Sequence, residues 1–600
     1  MDKEIMMEDR ISLGRLTATI TKIWWERIIV HIDLQLAYAD ESLKGEKFDV
    51  YAVDQNFHAK ARFKQTIVDE EHIRLSMNMT NPGNCECLPM GSYFFYVCRK
   101  QEILAKCVMA HELVPEAENV SRSFLHNNRT RGYLVNFYVT EGENDLPLLM
   151  HIMDAMKVSM EQESNGEIVK SAVTDPAIKM KKNAGRMRWK AYYHGQVKKY
   201  KDRQKVIMFM TEQSDTIGTN LQAVYDRMCE RGLDKEYTIL FSARPASYIR
   251  QARSSTKELL HKLAQCDMVF IDDHVPLFDW LTLDKRTKLI QLWHAGAGFK
   301  SSGYSRWGHL GCPAPVSCHR QYRYGIAGSR QIGKFFSEVF GINDDQILPT
   351  GMPRMDEYLD KAFREKKTAE LYERYPMCKG KKVILFAPTY RGKNRKTAYY
   401  PYHMIDFQRL YDFCGEEYVV LFKMHPWVRE AVPIEEAHKD RFVDANKYPN
   451  INDLFYITEI LITDYSSNIF EYSLMRKPML FFAFDKIQYS FSRGFHRDYE
   501  EAAPGKVCYT FAQIMDALEQ KDYEYEKVEQ YVDKHFDYID SHASDRVIDW
   551  ILLGNIPEDI QKKLRHIEKV NQRLPLLNFS ALEKGVNYEY CNDLCRWSWS

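Results

Sequence analysis

Residues 460–485 read ILITDYSSNIFEYSLMRKPMLFFAFD, and this stretch decides the fold. An apolar run, Ile460 to Thr463, ends in a polar turn. A segment with helical spacing, Ile469 to Met475, follows, and Pro478 stands before a second apolar run, Met479 to Phe482. Short apolar runs bounded by turn signals are buried strands, and a helix joining two of them makes a parallel crossover. The same alternation extends in both directions. Downstream of Lys205 it includes Val206 to Met210, helical Asn220 to Cys229, Tyr237 to Phe241, Met268 to Ile271, Leu289 to Trp293, Tyr324 to Ala327 and Gln346 to Leu348. A second series comprises Val383 to Phe386, helical Phe407 to Cys414, Tyr418 to Phe422, Ile460 to Thr463 and Met479 to Phe482. The pattern predicts an α/β fold with two doubly wound, Rossmann-like domains.

The first ~150 residues differ. Ile28, Val30, Ile32, Leu34 and Leu36 share one face of an extended segment, with His31, Asp33 and Gln35 on the other. Tyr93 to Cys98 and Tyr133 to Val139 repeat the β-branched and aromatic character, and Asn81-Pro82-Gly83 is a turn. A small β-rich, sandwich-like domain is expected. It either binds glycan or acts as a packed spacer. The expected division is a β-rich domain at 1–155, a basic segment at 156–204, Rossmann-like domains at 205–360 and 361–553, and a tail at 554–600. A chain of 600 residues exceeds one hydrophobic core, in keeping with several units.

The 83 basic and 83 acidic residues cancel, so no overall field draws the chain to nucleic acid, and attraction to an anionic surface requires a local patch. One basic stretch stands out at 179–205: Lys181, Lys182, Arg186, Arg188, Lys190, Lys198, Lys199, Lys201, Arg203 and Lys205, interleaved with Trp189, Tyr192, Tyr193 and Tyr200. Bases with amphipathic rings settle at anionic headgroups, and a solvated linker or helix face is the alternative. The start, MDKEIMMEDRISLGR, lacks a secretory pattern, and no apolar run approaches the ~20 residues that span a bilayer. The expected location is cytoplasmic, peripheral to the inner face of the cell membrane. The 13 cysteines have no framework spacing and suit free thiols. Cys85 with Cys87, Cys312 with Cys318 and His319, and Cys591 with Cys595 lack the paired spacing of a zinc finger.

In doubly wound sheets ligands bind beyond the carboxyl ends of strands. Those positions hold Trp293-His294, Thr350-Gly351-Met352-Pro353-Arg354, Ala387 to Arg391, Lys423-Met424-His425 and Thr463 to Ser467. Two histidines directly after apolar strands, one per domain, are expected to face each other across a cleft. Ser466 and Ser467 open a helix, where a phosphate fits and where a serine equally serves as a cap. Asp272-Asp273 has no second acidic cluster nearby, and no metal is expected.

In this order the strings Leu292 to His294 (LWH), Gly351 to Arg354 (GMPR), Ala387 to Arg391 (APTYR), 460–485 and Glu500 to Val507 (EEAAPGKV) resemble the CDP-glycerol glycerophosphotransferase family, the teichoic-acid polymerases and primases of bacterial envelopes. The resemblance covers roughly Lys205 to Ile551. It implies a GT-B arrangement, with the donor held mainly by the second Rossmann-like domain and no cofactor beyond CDP-glycerol as donor substrate. It implies His294 as candidate base and His425 as its counterpart, Arg354, Ser466 and Ser467 on the pyrophosphate, Glu471 on the ribose, and Thr389 and Arg391 as lining groups. The implied reaction joins glycerol phosphate to a hydroxyl of a lipid-linked or polymeric glycan acceptor and releases CMP. Ribitol phosphate from CDP-ribitol, a nucleotide-sugar donor, and a non-catalytic glycan-binding subunit are the alternatives. Ala295-Gly296-Ala297-Gly298-Phe299-Lys300 departs from the family's Gly-Thr-Pro-Leu-Lys run, so a more flexible loop is expected after His294.

Overall fold

Alternation of buried and exposed residues builds the first unit: along strand Ile29–Tyr38, Val30, Ile32, Leu34 and Leu36 are buried. The computed structural model describes residues 14–561 except 56–59, 83–86, 100–101, 127–130, 141–145, 157–162, 165–166, 169–175, 201–204, 245–252, 297, 308–311, 315–316 and 393–394. Gly83, Cys85, Lys201, Arg203, Cys591 and Cys595, the tail beyond 561 and the side chains of Lys179, Lys181 and Lys182 lie outside the described residues. Strands Leu16–Glu26, Ile29–Tyr38, His72–Asn78 and Lys64–Ile67 pair in one layer. The other layer is centred on Gly91–Arg99, which pairs with Asp49–Asp54, Glu102–Met109 and Leu148–Met156, and Glu102–Met109 also pairs in parallel with Leu16–Glu26, so the layers are parts of one 11-stranded sheet. Both layers close on one core that holds Ile20, Val30 and Leu75 with Phe95, Phe137 and Ile152, which is the expected β-rich unit.

Two Rossmann-like lobes in a GT-B arrangement follow. Numbered along the chain, the first sheet, all parallel, has order 2-1-3-4-5-6: Thr238–Ala243, Val206–Thr211, Met268–Ile271, Lys288–Gln291, Tyr322–Ile326 and Ile347–Leu348. The second has order 3-2-1-4-5-6: Phe442–Asp444, Tyr418–Phe422, Lys382–Phe386, Thr458–Thr463, Met479–Phe482 and Lys506–Cys508. In that sheet the order reverses between Lys382–Phe386 and Thr458–Thr463, so the crevice outside Phe386 and Thr463 is where a ligand fits.

The basic stretch folds differently from its reading as a headgroup-seeking segment. Pro176–Lys199 is a helix on which Tyr193 and Val197 join the first lobe's core, with Trp189, Tyr192 and Tyr200 packed against it. Rings at 189, 192, 193 and 200 recur at helical spacing, and burial on the lobe accounts for them. The outward residues include Arg188, Lys190, Lys198 and Lys199, so charge alone remains for an anionic partner. Among the described residues no helix is long and apolar enough to cross a membrane.

The chain also crosses the cleft twice. Helix Glu526–His535 lies between the lobes, and Ala543–Arg546 with Val547–Leu552 packs back on the first lobe. There Asp545 and Asp549 accept from Arg227 and Arg231, and Asp356 accepts from the amides of Ala543 and Ser544. This segment, placed with the second domain by the sequence, spends its apolar face on the first. Three units meet at one buried carboxylate. Glu338 of the first lobe binds Arg27 of the sandwich at 2.9 and 3.0 Å and His496 of the second lobe at 2.7 Å.

Candidate active site

His294 follows strand Lys288–Gln291, and its loop is fixed from below. The ladder stops at Gln291 because Asn220, buried on the neighbouring helix, takes the next two carbonyls, of Leu292 at 2.9 Å and Trp293 at 2.7 Å. The Asn220 Oδ1 accepts from the Arg354 amide at 3.0 Å, so one side chain positions His294 and Arg354 together. Trp293 sits at φ 48, a costly conformation for an aromatic residue, at the step before the histidine. The His294 side chain is half exposed. Its Nδ1 lies 3.3 Å from the Asp272 carbonyl and 3.4 Å from the Asp273 carboxylate. A carbonyl only accepts, so Nδ1 carries the proton and Nε2 presents a lone pair.

His425, after strand Tyr418–Phe422, has the opposite tautomer. The amide of Trp427 donates to its Nδ1 at 3.2 Å, which leaves the proton on Nε2. Burial, then the positive charges of Lys300 and Arg493, push its pKa down to about 4, partly offset by Asp464. It is a neutral donor at ordinary pH, packed against Tyr390 at 4.7 Å between ring centres.

The loop that carries His294 reaches the lobe that carries His425. Gly296, two residues past His294, lies against Phe470 of helix Ile469–Ser473, so closely that a Cβ at this position would come within 2.4 Å of the ring. Phe299 is buried against Phe495 and Tyr499, Lys300 bridges Phe495, and the Ser301 amide donates to Gly494. The flexible loop expected after His294 is therefore, among its described residues, a clasp laid across the second lobe. The glycines admit an aromatic neighbour. Lys300 is carried by this clasp to the surroundings of His425 and Asp464.

The other expected residues gather here with altered partners. Asp464, fully buried, stitches the switch point: it accepts from the Thr389 amide and hydroxyl, the Tyr465 amide and Arg391. Arg391 also binds Asp485 through two nitrogens and the Thr389 carbonyl. Thr389 and Arg391, expected as lining groups, thus spend these donors inside the protein and hold the floor in shape. Arg354 pairs with Glu471 across the lobes, so the groups expected on pyrophosphate and ribose neutralise one another here. Ser466 accepts from the Asn468 amide at 3.3 Å, whereas the Ser467 hydroxyl makes no hydrogen bond among the described residues. Helix Ile469–Ser473 has only 5 residues, so the anion-binding argument rests on local amides and hydroxyls more than on a long dipole. The sequence reading gave no role to Asn220, Asp273 or Lys300. Asp273 and Lys300 had a signal, since one sits in the acidic pair at a strand end and the other closes the run after His294.

Residues 192–553 match the family model described as CDP-glycerol:poly(glycerophosphate) glycerophosphotransferase. The teichoic acid ribitol-phosphate polymerase TarL of Staphylococcus aureus (strain NCTC 8325 / PS 47) is 40% identical over 344 residues, 57% of this chain and 61% of that protein. The chain thus spans less than two thirds of that relative's length. The teichoic acid glycerol-phosphate primase of Bacillus subtilis (strain 168) is 30% identical over 291 residues, 47% of this chain and 73% of that protein. The solved wall teichoic acid polymerase TagF has 23% identity and a TM-score of 0.49, covering 65% of this chain and 98% of that one.

Proposed function

The chain belongs to the CDP-glycerol:poly(glycerophosphate) glycerophosphotransferase family, and from that premise we propose that it transfers a polyol phosphate from a CDP-activated polyol to a hydroxyl of a teichoic-acid-type acceptor, releasing CMP. The observation that carries the reading is the complementary pair of tautomers. His294 offers a bare Nε2 that takes the acceptor proton, while the Asp272 carbonyl and the Asp273 carboxylate steady the imidazolium through Nδ1. His425 offers an Nε2–H that donates to a phosphoryl oxygen as charge grows there. The acceptor oxygen attacks phosphorus, the phosphoanhydride bond breaks, and CMP leaves with the electron pair. Ser466, Ser467 and Arg354 receive the diphosphate, Glu471 turns to the ribose, and the step as written needs no cofactor or metal.

Ribitol is the favoured polyol, because the 40% identical relative is named for ribitol phosphate and the 30% identical one for glycerol phosphate. This departs from the glycerol unit expected from the resemblance. A lipid-linked or polymeric glycan is the acceptor, reached from the inner face of the membrane. The test is release of CMP by the purified chain from CDP-ribitol, CDP-glycerol and, separately, UMP or UDP from UDP-sugars. Turnover of CDP-ribitol above CDP-glycerol is expected, and activity with UDP-sugars alone would sink the proposal. His294→Ala and His425→Ala are each expected to lower kcat by ~10²–10⁴.

A further inference from the structure

Arginines deep in the lobes mostly meet carboxylates: Arg354 meets Glu471, Arg391 meets Asp464 and Asp485, and Arg546 meets Asp540. Three cations at the cleft do not. Lys300 is half-buried, yet its ammonium donates no hydrogen bond among the described residues. Arg306, on the turn Gly303–Arg306, is half-buried with no ion pair among the described residues, and its Nε is shut off from solvent without an acceptor among them. Arg493 donates to the Tyr390 hydroxyl and lies 5.2 Å over that ring, with no carboxylate partner among the described residues.

The Lys300–Phe495 bridge and the Ser301 amide bond to the Gly494 carbonyl at 3.2 Å set Lys300 beside the turn that carries Arg493, so these charges act on each other. Burial pushes the Lys300 pKa down to about 8, and Arg493 adds to this against the pull of Asp464. Burial and then Arg493 lower Arg306 as well. Partly dehydrated like charges are held together at a cost that an anion offsets. The position says which anion. Lys300 stands at the His425 end. Arg306 precedes Trp307, whose ring stacks on Phe124 at 4.6 Å in the sandwich core. The row therefore leads from the surroundings of His425 toward the sandwich core that Trp307 joins.

We propose that Lys300, Arg493 and Arg306 form a phosphate subsite that holds a phosphodiester of the acceptor chain behind its reacting hydroxyl. The identity of that chain rests on the proposed function. Phosphate oxygens are the shared chemistry of acceptor and donor, but a donor with one diphosphate ends in the cleft, whereas a polymer can continue along the row. Guanidinium forks suit such oxygens.

Binding without turnover tests this. A fluorescently labelled oligomer of three ribitol-phosphate units and, separately, CDP are titrated into the wild-type chain, Arg306→Gln, Arg306→Lys and Lys300→Gln, with circular dichroism as the check of folding. The expected result is oligomer affinity at least ~10-fold weaker in Arg306→Gln and Lys300→Gln, a shallower salt dependence, CDP affinity within about twofold for Arg306→Gln, and partial recovery in Arg306→Lys, which restores the charge without the fork. Weakened CDP binding with unchanged oligomer binding overturns the proposal and hands the cluster to the donor. Unchanged binding of both in folded variants also overturns it. Failure of the wild-type chain to turn over any CDP-polyol is a separate outcome that defeats the proposed function and leaves the binding result to be read by itself.

Discussion

Gly296→Ala puts the clasp to a quantitative test. The added Cβ would lie 2.4 Å from Phe470 Cδ1, whereas ordinary contact begins at 3.4 Å, so something must move by roughly 1 Å. Phe470 has little room to retreat: Phe536 covers it at 4.4 Å between ring centres, and a Cβ on Gly328 would meet its Cζ at 3.0 Å. The loop must therefore yield, and it carries His294 two residues away. A misplacement of about 1 Å in a group that positions the reactants costs ~10²-fold in rate, equivalent to ~2.7 kcal/mol of activation free energy. Overpacking adds ~1–3 kcal/mol of lost stability. The assay is kcat for CMP release alongside a thermal unfolding curve. Phe470→Leu in the same chain should return much of the lost rate, because the smaller side chain makes room. Wild-type kcat in folded Gly296→Ala, or no recovery in the double variant, would refute the argument that this contact places His294.

Other outcomes follow from the same geometry. Burial raises the proton affinity of Glu338, but the hydrogen bonds of His496 and Arg27 hold its pKa down to about 2 against an ordinary 4.5. Its stabilising share is thus present above pH ~4.5 and lost as pH falls through about 2, and Arg27→Met should cost on the order of 3 kcal/mol at neutral pH. Thermal unfolding measured from pH 7 to pH 2 checks this; an unchanged midpoint for Arg27→Met at neutral pH counts against it. Lys300→Met removes one of the positive charges that depress His425, so the His425 pKa should climb from about 4 toward its ordinary 6.5, as read by NMR titration. A value that stays near 4 means that burial and Arg493 set it without Lys300. Finally, neutralising Arg188, Lys190 and Lys198 together should weaken salt-sensitive binding to anionic vesicles; equal binding returns that helix face to plain solvation.

The strands Tyr418–Phe422 and Met479–Phe482 and the helix Phe407–Cys414 were legible to the residue, since each is a run whose apolar pattern is complete within itself. The three-residue edge strands Phe442–Asp444 and Lys506–Cys508 were not, because so short a segment has no period to read. The candidate site divides in the same way. Strand ends pointed to His294, His425, Thr389 and Ser466. Who binds whom did not show, because Arg354 and Glu471 are 117 positions apart, and no local pattern announces a partner at that range. The aromatic residues among the bases at 189–200 show the reverse case. Their composition matches a headgroup layer while their helical recurrence matches a buried face, and packing on the lobe accounts for the rings.

The double passage of the chain between the lobes has a mechanical consequence. Two covalent connections, one near Asp360 and one between His535 and Ala543, act like paired pins on a door and leave rotation about the line joining them as the easy motion. Away from those pins in sequence, the leaves are latched by main-chain bonds from Ser301 to Gly494 and from His496 to Phe299. Swinging the door to admit a long, charged guest therefore requires breaking that small latch together with the Arg354–Glu471 and Glu338–His496 pairs and unstacking Phe299, while both sheets travel as rigid panels.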